Sequence, residues 1–151
     1  MSLSVAIDFT ASNGKINDPK SLHYPASITN EYEQAIIQVG NILQSYDHFK
    51  QFPLFGFGGV PHFLGEREVN HCFPLNGCFE SPEVNGIQGI VETYRRNLQE
   101  IQFAGPTFFS SILDIFMDFA VEGEELKNYF VLLIITDGNI HDMKETKELI
   151  V

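Results

Sequence analysis

Residues 4–12 read SVAIDFTAS, and this stretch decides how the rest of the chain can be interpreted. A short apolar run bounded by polar residues predicts a buried β-strand over residues 4–9. Asp8, Thr10 and Ser12 occupy alternating positions where that strand ends. Ligands bind beyond the carboxyl ends of strands in an open α/β sheet, and carboxylate and hydroxyl oxygens suit a hard cation such as Mg²⁺. The same residues also form ordinary turns and helix caps, so both interpretations stay open here.

The composition indicates one folded domain. The chain has 151 residues, of which 44% are hydrophobic, and this excludes a disordered chain. Its formal net charge of -11 argues against general nucleic-acid binding and against electrostatic attraction to anionic lipid. No apolar run approaches the roughly 20 residues of a membrane span. The first strand follows the start of the chain too closely for a signal peptide, so we expect a cytoplasmic protein without nucleic-acid partners.

Residues 1–3 (MSL) look like an addition to the natural chain, which would then begin earlier, and we assign the domain to residues 4–151. Cys72 and Cys78 lack companions with metal-ligand spacing and are interpreted as idle thiols of a cytosolic protein. No two of the five histidines share metal-ligand spacing. We expect all of them to be surface or turn residues, namely His23, His48, His62, His71 and His141.

The alternation of periodic segments predicts an α/β fold. Helices are predicted over residues 31–46, 86–102, 109–121 and 142–151, and strands over residues 4–9, 52–57, 69–73 and 129–136. The last strand, YFVLLIIT, is apolar on both faces, which is typical of a parallel sheet covered by helices on both sides. The order predicts a mostly parallel sheet, with residues 69–73 as one antiparallel edge strand.

Two more oxygen donors follow predicted turns. Asp137 ends the strand over residues 129–136, and Thr107 follows a Gly-Pro turn at the start of a helix. If the strands that end at Asp8 and Asp137 are neighbours, both carboxylates emerge at the same edge of the sheet. The loops together offer part of an octahedral shell, with positions left for water or an incoming carboxylate. The candidate metal-binding residues are Asp8, Thr10, Ser12, Thr107 and Asp137.

These motifs resemble the von Willebrand factor A (vWA) domain, whose corresponding residues form a metal-ion-dependent adhesion site (MIDAS). The resemblance narrows to the copine-type A domain through stretches that cover nearly the whole chain: VAIDFTASNG, SLHYP, NEYEQAI, FPLFGFGG, NGIQGIVETYRRNLQEIQFAGPT and YFVLLIITDGNIHDM. It implies a Rossmann-like, three-layer vWA fold with Mg²⁺ or Mn²⁺ at the site. Thr10, Ser12 and Thr107 would then ligate the ion directly. Asp8 and Asp137 would act mainly through water.

The resemblance also implies partners and a cellular context. Full-length copines carry C2 domains that bind Ca²⁺ and phospholipid, so membrane binding would occur only through domains absent from this chain. It implies intracellular target proteins and recruitment of the full-length protein to membranes in response to calcium. A domain of this family continues with two more strands and a closing helix. We therefore expect a truncated domain, or a homo-oligomer that covers the exposed edge of the strand over residues 129–136.

The leading interpretation is a protein-interaction module rather than an enzyme. The alternative is a Mg²⁺-dependent phosphotransfer or phosphatase-like enzyme, in which an Asp after the first strand acts as the nucleophile. Phosphatases of the haloacid-dehalogenase type need an acidic residue two places later, where this chain has Thr10. A third possibility is an oligomerisation domain whose function does not need the metal.

Overall fold

The computed structural model describes residues 1–25, 28–122, 129–138 and 140–150. Strands β1 to β7 span, in order, Ser2–Asp8, Gln51–Phe57, Gly59–Pro61, Phe73–Pro74, Glu83–Asn85, Ile101–Phe103 and Phe130–Ile135. Helices α1 to α4 span Glu31–Leu43, Gly86–Asn97, Ser110–Glu122 and Met143–Ile150. The first strand thus begins at Ser2, two residues before the predicted start, and Leu3 is fully buried.

Strand β1 lies in the middle of the main sheet and runs parallel to both of its neighbours. It pairs with β2 on one side, with Ile7 opposite Gly56, and with β7 on the other side, with Ile7 opposite Ile135. The strand order is β4-β2-β1-β7. The strands that end at Asp8 and Asp137 are therefore neighbours, which was the condition for a shared site, and the predicted mostly parallel α/β sheet is confirmed.

Helices cover both faces of this sheet because side chains alternate along β1. Leu3, Val5 and Ile7 pack into a large cluster with residues of α1 and α2, including Ile36 and Ile90. Ala6 points to the other face. There it joins a smaller cluster that contains Phe55 and Phe57 of β2 and Ile112 of α3.

The second predicted helix ends five residues too late. Helix α2 stops at Asn97, a single 3₁₀ turn follows, and Ile101–Phe103 forms β6, which pairs antiparallel with β3. Ile101 is buried whereas Gln102 is exposed, which is the alternation of a strand. The correction matters for function because β6 leads into the loop that carries Thr107.

The predicted edge strand over residues 69–73 is also shifted, and a second short strand lies at the same edge of the sheet. Strand β4 pairs antiparallel with Phe55 and Gly56, and β5 pairs antiparallel with the beginning of β2, so that edge holds two short segments. Asn70 instead makes backbone hydrogen bonds with Gly58 and Gly59, beyond the end of β2. This long-range pairing draws the start of the predicted strand away from the sheet.

The remaining boundaries are close to those predicted. A 3₁₀ turn at Gln44–Tyr46 extends α1, and α3 and α4 each begin one residue late. Val151 lies outside the described residues. Strand β7 occupies the other edge of the described sheet, and its side chains are half-buried on both faces. None of the helices that the structure describes combines the length and the apolar character needed to cross a membrane.

Candidate functional site

Four of the five candidate residues form one hydrogen-bonded chain at the carboxyl ends of β1 and β7. Thr10 Oγ1 lies 2.6 Å from Asp8 Oδ1 and 2.9 Å from Ser12 Oγ. Ser12 Oγ in turn lies 3.0 Å from Asp137 Oδ1. We call these four residues the rim cluster. Two loops that are 125 residues apart thus meet at one edge of the sheet.

The rim cluster has more close oxygen–oxygen contacts than hydroxyl protons that could turn them into hydrogen bonds. Its side chains make three O···O contacts, but the hydroxyls of Thr10 and Ser12 supply only two protons when both carboxylates are ionised. If Thr10 donates to Asp8 and Ser12 donates to Asp137, lone pairs face each other across the 2.9 Å between the hydroxyl oxygens. Adjacent oxygens in an octahedral Mg²⁺ shell lie about 3.0 Å apart, so this pair matches the spacing of two ligands of one cation.

Asp8 is the most constrained member of the rim cluster. It is fully buried, and its Oδ1 accepts the Thr10 backbone N–H at 2.7 Å and Asn13 Nδ2 at 3.2 Å. Its Oδ2 accepts the Thr136 hydroxyl at 2.6 Å. Our sequence analysis missed Asn13 and Thr136, although their positions flank the two motifs. Both orient the carboxylate rather than extend the site outward.

No nearby cation neutralises the two carboxylates in the part of the chain that the structure describes. Its ion pairs join Arg95 to Glu33 and Lys144 to Glu148, away from Asp8 and Asp137. Burial, together with the negative charges of Asp8 and Asp137, raises the pKa of Tyr32 well above its usual range. Among the residues that the structure describes, no group of three His, Cys, Asp or Glu side chains could hold a metal ion, and the oxygen donors of the rim cluster include the hydroxyls of Thr10 and Ser12.

Thr107 reaches the same region through the backbone. Ala104, at the end of the β6 segment, exchanges backbone hydrogen bonds with Phe9 and Ala11 on either side of Thr10. Three residues later, the Thr107 N–H donates to His141 Nδ1 at 3.1 Å, and the His141 N–H donates to the Thr107 carbonyl at 2.9 Å. Thr107 is buried, and its backbone is joined to the loop after β7 through His141.

Asp142 fixes the start of α3 behind Thr107, and our sequence analysis missed it. Its two carboxylate oxygens accept the backbone N–H groups of Phe109 and Ser110, at 3.0 and 2.8 Å. Burial opposes the ionisation of Asp142, but hydrogen bonds from Ser110, Phe109 and Thr146 outweigh it and lower the pKa. A helix N-terminus favours a carboxylate, which makes Asp142 the anchor of this loop.

His23 lies in a turn, as one part of the expectation for the histidines allows, but it is not at the surface. This side chain is fully buried, where its ring stacks on those of Tyr32 and Phe9 with centroid distances of 3.9 and 5.2 Å. Its Nε2 lies 2.7 Å from the Asp8 carbonyl oxygen. The sequence offers no periodicity that would indicate burial here. Only the stretch SLHYP in the copine resemblance singles this segment out.

Comparisons with known proteins agree with this resemblance. A family model described as Copine matches residues 21–151. Over the whole chain, the sequence is 46% identical to Protein BONZAI 2 and 45% identical to Protein BONZAI 1, both from Arabidopsis thaliana. It is 41% identical over its whole length to Copine-A from Dictyostelium discoideum. The chain spans 26%, 26% and 25% of these three relatives, about a quarter of each.

Proposed function

The chain belongs to the copine family, and from this premise we propose that it is a metal-dependent protein-interaction module with the vWA fold. In this role, an acidic group of an intracellular partner protein completes the coordination of a Mg²⁺ or Mn²⁺ ion at the rim cluster. The observation that carries the proposal is the Thr10–Ser12 contact, where two hydroxyl oxygens lie 2.9 Å apart.

The residues of the site divide into two roles in this proposal. By the family resemblance, Thr10, Ser12 and Thr107 would hold the ion directly, and their neutral oxygens would leave net positive charge on it. Asp8 and Asp137 would act through water and orient the hydroxyls, as their hydrogen bonds to Thr10 and Ser12 favour. The ion supplies a positive charge with open coordination positions, to which a partner's carboxylate can bind.

The geometry supports an interaction module more than a phosphotransfer enzyme. A nucleophilic Asp8 would need a free carboxylate oxygen facing the substrate. Oδ1 of Asp8 instead accepts three hydrogen bonds and Oδ2 accepts one from Thr136, and the residue is fully buried. Thr10 occupies the place of an acid/base residue and has no group that titrates near neutral pH.

Strand β7 is half-buried and lies at an edge of the sheet in the residues that the structure describes, and this favours a second candidate function. An apolar edge strand can pair with another chain, so a homo-oligomer through β7 would explain this surface without a metal. Oligomerisation and metal binding are separable, because a dimer through β7 would persist in a chelator.

We also propose, from the family resemblance, a cytoplasmic setting in which other domains of the full-length protein bind phospholipid in response to calcium.

Calorimetric titration with Mg²⁺ and Mn²⁺, followed by titration with an acidic peptide, tests the proposal. We expect one metal site per chain, and peptide binding that requires the metal. Metal at 100 times its Kd should raise the free energy of unfolding by about 2.7 kcal/mol. A folded chain that binds neither ion would overturn the metal function. A dimer that persists in chelator would then favour the oligomerisation domain.

A further inference from the structure

The main-chain carbonyl of Asp8 has an unusual partner. The ladder that joins β1 to β7 ends at the pair Ile7–Ile135, so the Asp8 carbonyl lies one residue beyond it. There it accepts a 2.7 Å hydrogen bond from the imidazole of His23, which comes from the long polar loop before α1. The His23 side chain thus donates a hydrogen bond to the Asp8 carbonyl at the point where β1 ends and the rim cluster begins.

The hydrogen-bond directions around His23 can be assigned from its partners. A carbonyl oxygen can only accept, so Nε2 of His23 carries the proton. Nδ1 therefore accepts from the Tyr94 hydroxyl at 2.7 Å, and the Tyr94 oxygen accepts from Asn30 Nδ2 at 3.0 Å. Asn30 Oδ1 accepts the Glu33 N–H at 2.9 Å as the N-cap of α1. One directed chain thus runs from the start of α1, through α2, to Asp8.

A second branch reaches the Asp8 carboxylate through Tyr32 and Asn13. Tyr32, which stacks on His23, donates its hydroxyl to Asn13 Oδ1 at 2.6 Å. Asn13 Nδ2 then donates to Asp8 Oδ1 at 3.2 Å and to the Thr10 carbonyl at 3.0 Å. The two branches hold both the backbone and the side chain of Asp8, and every side chain in them is buried.

We propose that His23 is a positioning residue of the metal site: its Nε2–H fixes the Asp8 carbonyl and thereby directs the Asp8 carboxylate at the Thr10 N–H and hydroxyl. This inference rests on the proposed function for its effect on metal affinity. Rotation of the Asp8 peptide group would break the 2.7 Å bond from Thr10 N to Asp8 Oδ1 and move the Thr10 hydroxyl. His23 would not contact the ion.

Two amide substitutions separate positioning from packing. His23→Gln and His23→Asn both remove the aromatic ring and its stacking on Tyr32, so their effects on stability should be similar. Only glutamine carries its amide nitrogen as far along the side chain as Nε2, within reach of the Asp8 carbonyl. Asparagine reaches the position of Nδ1 and can contact Tyr94 alone. The pair therefore differs in the hydrogen bond that the proposal invokes.

The first measurement is hydrogen exchange by NMR in metal-free buffer. The Thr10 amide reports on the Asp8 turn. The Leu3 amide is an internal reference, because it donates to Asp47 Oδ2 at 3.1 Å at the opposite end of the same strand. We expect the Thr10 amide to lose protection relative to Leu3 in His23→Asn and to keep it in His23→Gln. Equal protection in the two variants would overturn the positioning role, whether or not the parent binds metal.

The second measurement is Mn²⁺ affinity. His23→Asn should raise the Mn²⁺ Kd by about 10- to 100-fold over His23→Gln, the usual cost of losing a group that orients metal ligands. Equal Kd values in the two variants overturn the inference and leave the proposed function standing. A parent that binds no Mn²⁺ overturns the proposed function instead.

If neither His23 variant folds, Tyr94→Phe decides the question. This change removes the hydroxyl that donates to His23 Nδ1 and thereby helps to hold the ring with its Nε2–H directed at the Asp8 carbonyl. We expect loss of Thr10 protection and a rise in Mn²⁺ Kd of about 10-fold. Parental values for both measurements would overturn the inference.

Discussion

The hydroxyl of Ser12 lies 3.0 Å from the carboxylate of Asp137, a residue 125 positions later in the chain. The contact exists because β1 and β7 are parallel neighbours whose carboxyl ends lie side by side. Ser12 is exposed, whereas Thr10 and Asp8 are buried. Ser12 is therefore the member of the rim cluster that can be changed with the smallest effect on folding.

Ser12→Ala should lower Mn²⁺ affinity without a comparable loss of stability. The variant lacks one of the two hydroxyl oxygens that lie 2.9 Å apart. We expect the Mn²⁺ Kd to rise by about 10-fold or more. The free energy of unfolding without metal should change by less than about 0.5 kcal/mol, as is usual at exposed positions.

Ser45→Ala is the matched control for Ser12→Ala. Ser45 is also exposed, and its hydroxyl donates to the Asn41 carbonyl, away from the rim cluster. Calorimetry and thermal unfolding of both variants give the comparison. Parental Mn²⁺ affinity in Ser12→Ala would show that Ser12 is not a ligand.

Gly58→Ala should disturb the site through the backbone. Gly58 has φ +74°, and a Cβ there would collide with the methyl group of Thr10. Gly65 has nearly the same conformation, φ +76°, with no atom within 4 Å of its Cβ position. Each substitution should cost about 1 kcal/mol or more for the left-handed backbone. Only Gly58→Ala should also weaken Mn²⁺ binding.

Chemical denaturation and Mn²⁺ titration of both glycine variants test this expectation. The difference between them isolates the contact with Thr10, because the backbone strain is common to both. Equal Mn²⁺ affinity in the two variants would mean that the position of Thr10 does not matter for the metal.

Acid should destabilise the fold through His23. Burial lowers the pKa of His23 to about 4 from an ordinary value of 6.5, despite the hydrogen bond to the Asp8 carbonyl. Between these two values the unfolded chain binds the proton and the folded chain does not, so stability falls as pH falls from about 6.5 towards 4. Burial raises the pKa values of the neighbouring Tyr32 and Tyr94, which stay neutral throughout this range.

The full shift of the His23 pKa corresponds to about 3 kcal/mol of unfolding free energy. Urea denaturation of the metal-free chain between pH 7 and pH 4 measures the loss. His23→Gln is the control, because it has no group that titrates at this position and should show a shallower pH dependence. Parallel curves for the two proteins would contradict the assignment of a neutral, buried His23.

The two cysteines should differ in reactivity. Both are free thiols, but Cys72 is buried and Cys78 is exposed. Burial raises the pKa of the Cys72 thiol to about 12, so almost none of it is the reactive thiolate at neutral pH. Iodoacetamide at pH 7.5 should modify Cys78 in the folded chain and Cys72 only after unfolding. Peptide mass mapping reads the sites, and early modification of Cys72 would contradict the packing described here.

The sequence by itself determined the elements whose signal is local. The apolar runs that became β1 and β7 are bounded by polar residues. Each needs only its own side chains to be recognised as a strand. Asp8 and Asp137 follow from the same pattern, because a residue that ends a parallel strand lies at the edge of the sheet. That the two strands are neighbours was only a condition in the sequence analysis, and the pairing of β1 with β7 shows that it holds.

Only the tertiary structure decided what orients these residues. His23 meets Tyr94 across 71 positions, and Thr136 meets Asp8 across 128. Strand β6 and the two short segments beside β2 likewise depend on partners far along the chain. A hydrogen bond between distant residues leaves no period in the sequence of either one, because each partner is satisfied by packing that the whole fold creates. The candidate oxygen donors could therefore be found from the sequence, and the buried network that holds them could not.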